Sequence, residues 1–440
     1  MTPELQKFQT KLLEKLSNLL TNCEFIQTYC FDQKHFTRNR KLPFQTVVLI
    51  VLQLLKSSVK TELKSFYKAV FRVDEVVNWV TDGAFCMAWQ KIKHQVFIVL
   101  YKFIVRSFYA HVGGNRWFHY RLLSVDGSEL NLPSSKELIA KFGHHHTNSI
   151  GTKVPQARVS FLCDVLNYIT VDAQIESFRC GEQQMFGSHL DFIGKEDLLT
   201  ADANYGHFRI LKAITKRMAG YCIRMSHCSD FIKGFLASGQ KDDVVEWKPS
   251  PKTIENCKKH KTDPSPFKAR LVRIDLSENE TEVLALSLLD QDKYGYDSIK
   301  GFYDKRWGVE EEIKKFMQRL MVEFLSSVKE NGVLQDFYAN IFMLNLVSFL
   351  AEPTKEQIYK SSGNNRYRQQ INWTSALGDV RKRGVLLFLR CVNKIDSIIK
   401  SMRESFMVNT EAVKPGRKFP RDKRKKGSRQ KAFINYKTAW

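Results

Sequence analysis

Three carboxylates stand in settings that suit phosphodiester chemistry. Asp126 follows an apolar run in LLSVDGSELNLP, Asp202 follows Leu198 and Leu199 in KEDLLTADANYG, and Glu310 lies in WGVEEEIKK. Carboxylates are hard oxygen donors, the type that Mg²⁺ and Mn²⁺ prefer over nitrogen or sulfur. Two such ions held ~4 Å apart activate a water or a 3′-hydroxyl and stabilise the leaving oxygen of a phosphodiester. Each residue alone has a plainer explanation. An aspartate after a strand commonly starts a turn by accepting nearby backbone N–H groups, and Glu310 can pair along a wet helix face with Lys314, four residues on. What separates the readings is whether all three arrive at one place.

The elements that would bring them together are legible as changes of hydrophobic period. Residues 1–115 repeat apolar side chains every three or four positions, as in LPFQTVVLIVLQLLKSSVKTELKSFYKAVF, and read as a helical N-terminal region, whose basic residues make DNA binding the expectation. From about 119 the pattern turns extended. YRLLSVDGSEL, ARVSFLCDV and YITVDAQIESF read as strands, the last two joined by a hairpin turn at DVLN. On this reading both aspartates end strands, in an α/β domain whose first part is 116–219 and whose second part is 291–350. A β-rich insertion at 220–290 lies between them, and a C-terminal helical region, 351–410, and a basic tail, 411–440, follow. The stretch DSIKGFYDKRWGVEEEIKKFMQRLMVEFLSS predicts one long helix, with Val309, Ile313, Phe316 and Leu320 on one stripe. Glu310 then shares a face with Arg306, four residues before it, and Tyr303, seven before it. The GHHHTN stretch is expected to be a polar loop, because three adjacent imidazoles cannot converge on one ion.

Charge narrows the partner. The 440 residues carry a formal charge of +23, of which the segment from Lys414 to Trp440 supplies +10 (eleven Lys or Arg against one Asp), leaving +13 for the rest. Basicity on that scale favours a polyanion, since each phosphate neutralised releases condensed counterions. The tail, a run of Lys and Arg, is expected to add non-specific affinity. Arg38, Arg40 and Lys41 in HFTRNRKLPF are candidate phosphate contacts, against the alternative of a solvated face. The longest apolar run, Thr46 to Leu55, is short of the ~20 residues a spanning helix needs, and no signal peptide is visible; no membrane partner is expected. Nine cysteines without a C-x-x-C pair argue against a disulfide scaffold or a zinc knuckle and for a reducing compartment.

The motifs in company resemble bacterial DDE transposases of the insertion sequence four family. LLSVDGSEL, ADANYG and YDKRWGVE carry the resemblance, together with VPQARVSFLCDVLN and the β insertion. It implies a ribonuclease-H-like catalytic domain, α/β in class, with a β-rich insertion and helical flanks at both ends. It implies a cytoplasmic, nucleoid-associated enzyme that binds the terminal inverted repeats of its element as double-stranded DNA. The enzyme would cleave those ends through a hairpin and join their 3′-hydroxyls to target DNA, as a dimer in a synaptic complex. Asp126, Asp202 and Glu310 would hold Mg²⁺ or Mn²⁺, Tyr303 and Arg306 would contact a phosphate, and Trp247 in the insertion would be a platform for a displaced base, or else a buried structural residue. Two positions depart from the family. Its signature lysine falls at Met317, for which Lys314 is the nearest substitute, and Asn204 replaces the glycine of the second motif. The alternatives are a metal-dependent, structure-selective nuclease and a non-catalytic DNA-binding protein derived from a transposase.

Overall fold

The computed structural model describes residues 3–38, 41–53, 58–71, 80–146, 153–277, 280–319, 325, 327–389 and 395–413. The chain divides into two units, one made of 114–129 and 158–313, the other of 1–113, 130–157 and 314–440.

The first unit is built on a mixed β-sheet. Its strands are β1 (Arg121–Asn131), β2 (His144–His146), β3 (Lys153–Asp164), β4 (Ile169–Ser177), β5 (Asp197–Ala201), β6 (Gly220–Met225), β7 (Asp242–Trp247), β8 (Phe267–Ser277) and β9 (Glu280–Leu286). They lie in the order β2-β3-β1-β5-β6-β9-β8-β7, with β4 paired to β3. β2 and the adjoining ends of β1 and β3 are numbered with the second unit. At the centre, β1, β5 and β6 run parallel, whereas β9, β8 and β7 continue the sheet antiparallel. All five residues of β5 are buried, as a parallel strand covered on both faces requires. Its two polar side chains are both satisfied by the neighbouring strand, Thr200 donating its hydroxyl hydrogen to the Leu123 carbonyl at 3.1 Å and Asp197 accepting from Arg121 Nε at 2.6 Å.

The hairpin between β3 and β4 turns where the sequence places it. Asp164 accepts the N–H groups of Leu166 and Asn167 at 3.2 Å each, and Tyr168 takes a left-handed φ of 58°. Three expectations are corrected. β6 falls within the stretch read as insertion, but it pairs parallel to β5 and is a core strand; the insertion proper is β7 to β9, attached through the β6–β9 pairing. Strand propensity is alike on both sides of that border, and only the pairing tells them apart. His144–His146 is an edge strand rather than a loop, because its main chain pairs with Lys153–Pro155 whatever its side chains are. The long helix is broken into Tyr296–Tyr303, a tight turn over Asp304–Arg306, the helix Trp307–Lys314 and a wider turn over Lys315–Arg319; Leu320 lies outside the described residues.

The second unit is helical. The amphipathic helix Pro3–Leu20 buries Leu12, Leu13, Leu16 and Leu20, and Glu330–Ser361 forms the centre, buried almost without interruption from Gly332 to Ala351. Two of its polar side chains converge on one acceptor: Gln335 and Asn331 both donate to the Ile92 carbonyl, at 2.6 and 2.9 Å. This is also the one helix among the described residues long and apolar enough to cross a membrane, and it is spent as a core helix. Arg381 bridges Glu62 at 2.6 Å and donates to the Gln53 carbonyl at 2.7 Å, which satisfies a buried charge as burial demands.

Candidate active site

Register sets the two aspartates level. β1 and β5 pair with a constant offset, Arg121 with Asp197 through Ser124 with Thr200. Continued two residues, the same offset places Asp126 beside Asp202 on strands ~4.8 Å apart. Asp202 follows the last residue of β5, as the sequence suggests, and caps the short turn Ala203–Tyr205 by accepting the Asn204 N–H at 2.9 Å. Asp126 does not end its strand. It sits mid-β1, just past the portion paired with β5, and accepts the N–H of Gly127 at 2.8 Å.

Glu310 comes from the first turn of Trp307–Lys314, where the helix dipole favours a negative charge. Arg306 donates to its Oε1 at 3.2 Å. Two hydrogen bonds tie this segment to the strands that carry the aspartates. Ser124, two residues before Asp126, donates to the Arg306 carbonyl at 3.3 Å, and Tyr303 donates its hydroxyl hydrogen to the carbonyl of Ala201, the residue before Asp202, at 3.2 Å. Gly308 permits the approach: a Cβ there would stand 2.8 Å from Val165 Cβ.

The three acids share one field. Burial pushes the Asp126 carboxyl up to about 6; the Gly127 N–H opposes this, the charges of Asp202 and Glu310 add to it, and Arg306 opposes it again. Each acid commits one oxygen to the bonds above, and the second accepts no hydrogen bond from the described residues. Among the described residues, however, no three His, Cys, Asp or Glu side chains are gathered closely enough to hold a metal ion. The donor chemistry therefore fits a hard divalent cation, with three carboxylates in electrostatic but not ligating reach.

The other candidates fall out unevenly. Arg306 is buried beside Glu310, its guanidinium carbon 5.8 Å from the centre of the Tyr303 ring. Tyr303 is buried too, and its hydroxyl donates to the Ala201 carbonyl at the end of β5. Trp247 is buried. It packs between Phe208, Phe231 and Phe267, stacked on Phe231 at 4.7 Å, because the insertion needs an aromatic core of its own. Lys314 is exposed at the helix end, its neighbour Lys315 is buried with its ammonium 3.5 Å from the Trp373 ring centre, and Met317 is half-buried in the following turn. Arg38 and Lys41 are exposed; Arg40 lies outside the described residues.

Sequence reasoning missed four residues. Ser124 ties down the glutamate segment. Arg224 on β6, bridged to Glu282 at 2.8 Å, lies in the electrostatic reach of Asp202 and Tyr303. Glu182 and Gln183 open the helix Glu182–His189 and meet Asn204. The one available signal was the glycine after Asp126, since glycine marks close approach of another group.

A central sheet of order β4-β3-β1-β5-β6, with one aspartate on β1, another just past the end of the parallel neighbour β5, and helical flanks, is a ribonuclease-H-like fold. A family model described as a transposase DDE domain matches residues 117–346. That is just over half of the chain, which belongs to this family. Among curated proteins, none matches the sequence. A solved structure described as a piggyBac transposase synaptic complex with hairpin DNA is similar at 11% identity and a TM-score of 0.41, over 93% of this chain and 86% of that one.

Proposed function

We propose that this chain is a transposase, akin to the insertion sequence four family, that binds the ends of its element, cleaves them and transfers the exposed 3′-hydroxyls to target DNA. The observation that carries the reading is the joining of Glu310 to both aspartate strands through Arg306, Ser124 and Tyr303. Bound Mg²⁺ or Mn²⁺ would supply activation of the attacking oxygen and charge stabilisation on the leaving one. Asp126, Asp202 and Glu310 are the residues that would hold those ions. Arg306, beside Glu310, would contact a phosphate of the cleaved strand, for which a guanidinium is well shaped. Lys314 adds a second phosphate contact where the family has its lysine three residues further on. Duplex DNA is drawn by the basic charge of the chain, and two protomers act together on two ends.

The test is divalent-dependent nicking and strand transfer on duplex carrying the inverted repeats that flank the reading frame. Replacing Asp126, Asp202 or Glu310 by Ala is expected to lower nicking at least about a thousand-fold while leaving DNA affinity within a few-fold, because phosphate contacts elsewhere survive. An Asp126→Ala protein that nicks at the parent rate would overturn the reading. Nicking without joining would leave a nuclease instead.

A further inference from the structure

Glu182 stands where the two aspartate turns meet. It is the first residue of the helix Glu182–His189, and its side chain fills the space over Gly127: a Cβ built on Gly127 would come within 3.1 Å of Glu182 Cγ and 3.2 Å of its Cδ and Oε1. The other carboxylate oxygen, Oε2, accepts from Asn204 Nδ2 at 3.4 Å. Gln183 completes the grip by donating from Nε2 to the Asn204 carbonyl at 2.9 Å. One helix end thus touches the residue after Asp126 and the second residue after Asp202. Arg158 of β3 lies 3.7 Å from Glu182 Oε1 and offsets its charge.

The far end of the same helix is locked. His189, seven residues on and therefore on the same face, is buried, with Nε2 2.9 Å from Ser160 Oγ on β3 and Nδ1 2.8 Å from Asp172 Oδ2 on β4. The trio has the composition of a hydrolase triad, but all three residues are buried and no substrate reaches Ser160. Its effect is mechanical: it pins the helix to two strands, so the position of Glu182 follows from the sheet.

From this geometry we infer that Glu182 and Gln183 form a clasp that sets the separation of Asp126 and Asp202, with Glu182 as a positioning residue for the metal pair. Asn204 is the clasp's counterpart. A glycine at that position offers no Nδ2 to bond, so the replacement noted in the second motif is matched by the Glu182 bond. The inference rests on the metal-binding role proposed above, and two measurements separate the failure of one from the failure of the other.

Hydrogen exchange of the amides of 202–206 reads the clasp without metal. The Mn²⁺ concentration giving half of the full thermal stabilisation reads the metal pair without DNA. In Glu182→Ala and in Asn204→Gly, exchange is expected to quicken at least about ten-fold and the half-stabilising Mn²⁺ concentration to rise by about as much, with the double variant no worse than either single one. Glu182→Gln, which keeps the size and an acceptor oxygen, is expected to stay near the parent, whereas a direct ligand would not tolerate the lost charge. Unchanged exchange in Glu182→Ala, or additive effects in the double variant, would overturn the clasp. Quickened exchange with unchanged Mn²⁺ response would overturn its bearing on the metal pair. A parent chain that Mn²⁺ does not stabilise would overturn the metal-binding role itself.

Discussion

On the strand side of the site, Asp126 and Asp202 each give an oxygen to a main-chain N–H one or two residues further on; on the helix side, Glu310 gives one to the Arg306 guanidinium. Backbone amides are short arms fixed by the sheet, while an arginine is a long one that can swing. The two sides also differ electrically. Asp126 ionises against burial and two neighbouring negative charges, whereas Glu310 has a cation beside it. A metal pair built from both sides would draw two acids from a rigid frame and one from an adjustable mount, which suits a site whose carboxylates must close in to ligate.

The comparison can be broken most severely at Gly308, where the helix side touches the sheet. Gly308→Val places a branched side chain against Val165, and is expected to cost about 3 kcal/mol, as overpacking of a filled core does. A urea midpoint within error of the parent would show that the helix side floats free of the hairpin.

Neutralising one acid on each side should give opposite signs. In metal-free, chelated buffer at pH 7, Asp126→Asn is expected to stabilise the fold by about 2 kcal/mol, because the folded-state pKa near 6 lies above the unfolded one and ionisation in place is unfavourable. The sign follows from proton uptake. Between the unfolded pKa near 4 and the folded one near 6, the native parent binds the extra proton, so the parent gains stability as pH falls and the advantage of the variant shrinks to nothing by about pH 4. Glu310→Gln removes the carboxylate from beside a buried Arg306 and is expected to cost about 2 kcal/mol at pH 7. Equal signs in chemical denaturation would erase the distinction between the two sides.

The smallest effect sharpens the tie between them. Tyr303→Phe keeps the ring and leaves the buried Ala201 carbonyl without its side-chain donor. A loss of about 1 kcal/mol is expected, together with reduced nicking at unchanged DNA affinity. If DNA affinity fell instead, Tyr303 would be a contact residue and not a brace.

The three acids of the candidate site are marked by residue type and setting. Asp126 and Asp202 show themselves by following apolar runs, and Glu310 by its place in YDKRWGVE. The roles of their neighbours were not readable. Tyr303 and Arg306 look like a matched pair in the sequence, yet one donates into the sheet and the other faces the glutamate, since direction depends on the break at Asp304–Arg306. Trp247 has the composition of a stacking residue, and its burial was decided by three phenylalanines, from Phe208 to Phe267. Glu182 carries no motif at all.

The sequence by itself determined the alternation of helix and strand, the basic charge and the three acids, because period and charge are written in neighbouring residues. Tertiary structure alone decided that the β1–β5 register sets Asp126 level with Asp202, that β6 is a core strand while β7 to β9 extend it, and that Glu182 rests on Gly127. Those are matters of which strand lies beside which and what fills the space between them. Such choices depend on packing between segments far apart in the chain, and no local pattern encodes them.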